Sequence, residues 1–125
     1  MSEFRQQMLD RTKSYALRIL RLTNSLPCSL DANVIGKQLL RCGTSVGANC
    51  RAACRARSPA EFIAKLGIVE EEADESLYWQ ELLVESGLVK PTLLDGLMQE
   101  GQEILSLIVT SKKTLRLASK RVDAR

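Results

Sequence analysis

The stretch Ser58-Pro59-Ala60-Glu61 decides how this chain is read. A serine hydroxyl accepts from the free backbone N–H groups at a helix start. Proline is tolerated at the first helical position, where the N–H it lacks would have no partner. A glutamate three residues after the serine reaches back to the cap N–H and completes a capping box. Behind it, Phe62, Leu66, Val69, Ala73, Leu77 and Val84 fall on one side of a helix, following a 3.6-residue period. Gly87 followed by Leu88 reads as the C-cap with its apolar contact.

Upstream, Ser29 or Asp31 caps a second helix. Its Ile35, Leu39, Cys42, Val46, Asn49 and Ala53 recur in a strict four-three pattern, which suits left-handed bundle packing. Gly43 and Gly47 lie one turn apart inside it, each costing about 1 kcal/mol against alanine. Close approach of another helix backbone would compensate; the competing reading is a local break. A first helix, from about Phe4 to Asn24, carries Phe4, Met8, Tyr15, Ile19, Leu22 and Leu26 on its stripe and stops before Pro27. Downstream, Thr92 and Asp95 form a second capping box behind Pro91. Leu94, Leu97, Ile104, Ile108, Leu115 and Ala118 mark the inner side of a fourth helix, expected to fray after Ser119. Short connections between helices of about 20 to 28 residues force antiparallel neighbours. The expected fold is all-α, an antiparallel up-down-up-down four-helix bundle, with residues 1–125 as a single domain and a basic tail from about residue 120.

Composition narrows the function classes. A chain of 125 residues fits one domain, and 45% hydrophobic content is too high for a disordered polymer. Aromatics at 4% argue against a β-sandwich or a reader of single strands by stacking. The absence of histidine removes Ser-His-Asp and Cys-His catalysis, imidazole zinc sites and the Glu-x-x-His motif of di-iron bundles. Cys28, Cys42, Cys50 and Cys54 form no Cys-x-x-Cys. Cys50 and Cys54 share a helix side, but no further ligands accompany them, and they read as small core residues in a reducing cytosol. Residues 1–10 lack an apolar signal core, and no run of about 18 apolar residues exists. The expectation is a cytoplasmic protein with no membrane contact, cofactor, metal or small-molecule substrate.

The net charge of +3 is mild, yet it is segregated. Lys37, Arg41, Arg51, Arg55 and Arg57 form a segment without acids. From Glu61 to Glu85 there are eight acids and one base, Lys65. From Lys112 to Arg125 there are six bases and one acid. Basic blocks of this kind permit an anionic partner. The preferred reading is that basic and acidic helices face each other or a neighbouring subunit.

Three places stand out. The run Glu70-Glu71-Glu72-Ala73-Asp74-Glu75 offers carboxylates, but one helix cannot close a metal site, so a solvated or salt-bridged face is expected. Asn49 sits on an apolar stripe, where a polar residue fixes register or partner choice. Thr44, Ser45 and Asn49 are expected to form a buried polar network, binding one another, helix three or a neighbouring subunit, with Glu72 and Glu75 as plausible partners. Tyr78-Trp79 is the one paired aromatic site, and neighbours about 100° apart on a helix cannot both face one core. One of them is expected at an oligomer interface, where an apolar body with a polar tip is favoured; the competing reading is a Trp lying flat on its own bundle.

The stretch Arg41-Cys42-Gly43-Thr44-Ser45-Val46-Gly47-Ala48-Asn49 resembles the hallmark of the small bacterial four-helix-bundle proteins named after 23S rRNA intervening sequences. So do Ser58, Glu61-Phe62-Ile63, Lys65, Glu72-Ala73, Glu75 and Tyr78-Trp79, with Tyr15-Ala16-Leu17 and Leu26-Pro27 upstream. The resemblance covers about residues 4 to 115. Ala52 departs from it, since a glutamate is expected beside Ala53. The resemblance implies four helices, a ring of five subunits and distant kinship with the nucleic-acid-binding accessory protein of diversity-generating retroelements. It implies no established activity. The family name reflects encoding within an rRNA gene insert and is no sign of rRNA binding.

Two function classes follow. One is a non-enzymatic, ring-forming adaptor that binds RNA or DNA through Arg51, Arg55 and Arg57, or through Lys112, Lys113 and Arg116. The other is a purely protein-binding oligomeric scaffold. An enzyme is disfavoured because no nucleophile–base pair is present.

Overall fold

A computed structural model describes residues 2–123. The chain forms α1 (Glu3–Asn24), α2 (Leu30–Cys54), α3 (Pro59–Glu85) and α4 (Pro91–Asp123). Each helix packs on its neighbour in sequence and α4 closes on α1, while neither diagonal pair of backbones meets among the described residues. The result is the expected antiparallel four-helix bundle. None of the described helices is long and apolar enough to cross a membrane.

Hydroxyl caps set three of the helix starts. The Oγ atoms of Ser2, Ser29 and Ser58 accept from the N–H groups of Arg5 (3.2 Å), Ala32 (3.4 Å) and Glu61 (3.1 Å). Ser29 is therefore the α2 cap, and Asp31 assists from inside the first turn, accepting from the Ala32 N–H at 2.9 Å. The Glu61 carboxylate reaches the Arg57 N–H at 3.4 Å, one residue before the expected Ser58. The α3 C-terminus turns at Gly87, whose φ of +81° is costly for a residue with a Cβ. Val89 then drops into the core, and its N–H donates to Leu83 O at 3.1 Å.

Two expectations for α4 are corrected. Pro91 is its first residue, so Thr92 lies inside the first turn and does not cap. The helix also continues past Ser119 to Asp123, and Ala118 is exposed there, because α4 outruns the start of α1 and has no second helix to meet. Arg125, part of the expected tail, lies outside the described residues.

The core is built from the predicted stripes with three shifts. On α2 the buried positions run Ile35, Leu39, Cys42, Val46, Cys50 and Ala53, so Cys50 replaces Asn49. A 3.6-residue helix drifts against a strict four-three pattern, and the drift moves the inner position by one residue. On α3 Leu83 is buried and Val84 half-buried. On α1 Phe4 is exposed, and Thr12 joins the buried stripe.

Helix α2 runs unbroken through Gly43 and Gly47. A Cβ on Gly47 would lie 3.3 Å from the Thr12 carbonyl oxygen of α1, and one on Gly43 would overlap the Ile19 side chain. Both glycines thus serve close approach of α1. Gly101 does the same for α4, where a Cβ would stand 2.7 Å from the Tyr15 hydroxyl.

Candidate functional site

The fully buried polar network lies on α1 and α3, away from Asn49. Tyr15, Ser76 and Gln80 are fully buried. Ser76 Oγ donates to Ala73 O at 2.6 Å, which leaves it to accept from the Tyr15 hydroxyl at 2.8 Å. The Tyr15 oxygen in turn accepts from Gln80 Nε2 at 2.8 Å. The chain of donors runs from α3 to α1 and back, tying the bundle diagonal through its core. Gln80 Oε1 has no partner among the described residues. Burial pushes the Tyr15 hydroxyl up from its ordinary pKa, so it stays a donor.

Thr44, Ser45 and Asn49 are half-buried on the flank of α2 and bond within their own helix. Asn49 Nδ2 donates to Ser45 O (2.9 Å) and Ser45 Oγ (2.7 Å), and Thr44 Oγ1 donates to Leu40 O at 2.7 Å. The expected link to Glu72 and Glu75 is absent because Arg41 takes both carboxylates: it pairs with Glu72 at 3.2 Å and with Glu75. Glu75 Oε2 also accepts from Trp79 Nε1 at 3.0 Å. Trp79 lies half-buried against the core, while Tyr78 is 52% exposed, with its ring edge-on to Trp79 at 5.1 Å between centroids. The adjacent aromatics divide as helical geometry requires, and Tyr78 is the one turned outward. The rest of the acidic run is a charged face: Glu71 and Asp74 are exposed, and Glu70 pairs with Lys112. Among the described residues no group of three metal-ligating side chains converges.

The predicted basic residues separate into three places. Lys112 bonds Glu70 at 2.9 Å with its side chain only 14% exposed, so it is spent inside the molecule. Arg57, Lys113 and Arg116 are exposed and join no ion pair among the described residues. They belong to one end of the bundle, since α4 descends antiparallel to α3 toward the 55–58 connection. Arg51 and Arg55 instead line a groove of about 460 Å³ between α1 and α2. Lys13 stands on its other wall, and Ala16, Gly47 and Ala48 contribute to its lining.

Several of these residues escaped the sequence. Only the fold brings α3 to Arg41 and α2 to Lys13, so their specific surroundings have no local signal. Gln80 carried a legible signal: it follows Leu77 by three residues on the buried stripe, where a polar side chain needs a partner. Among the thiols, burial pushes Cys42 up to about 12 and Cys50 up to about 11, far from nucleophilic at neutral pH.

The model of the 23S rRNA-intervening sequence protein family matches residues 5–110. A crystal structure of a protein with unknown function from the S23 ribosomal protein family of Bacteroides thetaiotaomicron VPI-5482 superposes with a TM-score of 0.80 at 37% identity. The alignment covers 85% of this chain and 98% of that one. A search of proteins with curated descriptions gives no match.

Proposed function

Since the chain belongs to the family of 23S rRNA-intervening sequence proteins, we propose that it is a non-enzymatic, homo-oligomeric adaptor whose repeated basic surface binds RNA or DNA. The observation that carries this reading is the group Arg57, Lys113 and Arg116, exposed and without ion-pair partners among the described residues at one end of the bundle. Three bases on one copy make few phosphate contacts. A ring of five, as the resemblance implies, multiplies them, and the counterions released together give steep salt dependence with little sequence preference. The lack of any histidine and the raised Cys42 and Cys50 thiols support a role without covalent catalysis. The test is retention on single-stranded RNA and duplex DNA between about 50 and 200 mM salt. Arg57→Ala/Lys113→Ala/Arg116→Ala is expected to weaken binding at least tenfold and to flatten its salt slope. A native protein with no affinity at the low-salt end removes the adaptor. A purely protein-binding scaffold then takes its place, a reading favoured by Tyr78 standing exposed in an acidic face.

A further inference from the structure

Two surfaces of the chain carry opposite charge over similar lengths of helix. We propose that the outer ridge of α3 on one copy, formed by Glu71, Asp74, Tyr78 and Glu81, docks into the α1–α2 groove of a second copy. This rests on the homo-oligomer reading above and names the surfaces that join.

The ridge is a single stripe. Its residues follow steps of three, four and three, so they share one helix face. All four are exposed, and none of the three carboxylates joins an ion pair among the described residues. Tyr78 is braced at its centre. Arg41 holds Glu75, Glu75 accepts from Trp79 Nε1 at 3.0 Å, and the Trp79 ring meets Tyr78 edge-on at 5.1 Å. An aromatic already held outward loses little freedom on docking, and tyrosine is enriched among the anchors of interfaces.

The groove answers each feature. Its small residues Ala16, Gly47 and Ala48 leave room for a ring, while Lys13, Arg51 and Arg55 face three unpaired carboxylates of the ridge. The single acid in its lining, Asp10, is engaged by Gln6 Nε2 at 3.0 Å. Lengths agree as well. The lining runs from residue 6 to 16 on α1 and from 44 on α2 to its C-cap, Arg55, and the ridge from 71 to 81, each about 15 Å at the helical rise. A phosphate backbone would use the three bases but gain nothing from an apolar floor, whereas a tyrosine-centred acidic helix uses both. The face of α3 that reaches α1 is the buried one, through Ser76 and Gln80, and the ridge lies on the exposed side, so a chain cannot seat its own ridge in its own groove. The contact is heterologous and propagates from copy to copy until a ring closes.

The test is sedimentation velocity on the full chain at micromolar concentration, with helicity followed by circular dichroism. The native protein is expected to be an oligomer. Arg51→Glu/Arg55→Glu and Glu71→Lys/Asp74→Lys/Glu81→Lys are each expected to give folded monomer, and their combination in one chain to restore assembly. Ala48→Trp, at an exposed position, blocks the groove without touching charge or core. Tyr78→Ser gives the same readout should a charge variant lose its helicity. A native monomer refutes both the homo-oligomer reading and this interface. Native oligomers that persist through Ala48→Trp and both reversals refute the interface alone. Arg51→Glu/Arg55→Glu losing nucleic-acid retention while its assembly is unchanged makes the groove a phosphate site and overturns the proposal.

Discussion

Tyr15 is the residue on which most of the buried polarity depends. Its hydroxyl accepts from Gln80 Nε2 and donates to Ser76 Oγ, linking two buried polar side chains in a low-dielectric core. Tyr15→Phe leaves the Gln80 amide with only the Ser76 carbonyl and is expected to cost about 1 to 3 kcal/mol in urea unfolding. Gln80→Leu should cost less, since it also removes the unpaired Oε1 from the core. The cysteines divide on the same principle. Cys28 is exposed, whereas Cys42 and Cys50 are buried with thiols pushed up by desolvation. Maleimide at neutral pH is expected to label Cys28 quickly, and Cys42 and Cys50 only on denaturation; rapid labelling of all thiols in the native state contradicts this.

At the scale of elements, caps and close contacts decide how the helices stop and how near they come. Ser58→Ala removes the hydroxyl that satisfies the Glu61 N–H and should lower stability by about 1 kcal/mol. Gly101→Ala gains about 1 kcal/mol of helix propensity, but its Cβ would stand 2.7 Å from the Tyr15 hydroxyl and 2.9 Å from Leu77. Both neighbours are packed, so net destabilisation is expected in thermal unfolding, against the stabilisation that propensity alone predicts. The α1–α4 seam adds a pH term. The Arg11 guanidinium bonds Glu100 and holds its carboxyl below the usual range. A depressed carboxylate contributes stability above its unfolded pKa of about 4.3, and that contribution is lost as pH falls through the lower folded value. Glu100→Gln should therefore destabilise at neutral pH and flatten the acid limb of the unfolding curve. An acid limb identical in the two proteins would place the linkage elsewhere.

The whole molecule separates its charge by face. Acids gather on the outer side of α3, bases that join no ion pair among the described residues line the α1–α2 groove, and a second basic group occupies the α4 end. Such segregation costs little in one bundle surrounded by water, and it gives opposite surfaces something to do between copies. If assembly accompanies folding, mass action ties stability to concentration. The melting temperature is expected to rise from about 1 to 100 µM protein and to fall again in high salt. A melting temperature independent of concentration would mean that each bundle stands alone.

Four helices and most of their bounds are legible from local signals alone. The Ser58-Pro59 box, a cap at Ser29 or Asp31 and the apolar spacing are local signals, readable because a helix needs only its own capping and periodicity to be recognised. Short connections then left an antiparallel bundle as the one compact arrangement. The glycines of α2 were legible too, because two costly residues one turn apart demand a neighbour. Whatever depends on rotation about a helix axis or on distant partners follows from packing between helices. A drift of one residue put Cys50 in the core and Asn49 on the flank. Arg41 captured Glu72 and Glu75 from more than thirty positions away, and Lys112 was taken by Glu70. Periodicity counts residues along one helix, whereas a side chain's partner is set by the angle and depth at which a second helix arrives.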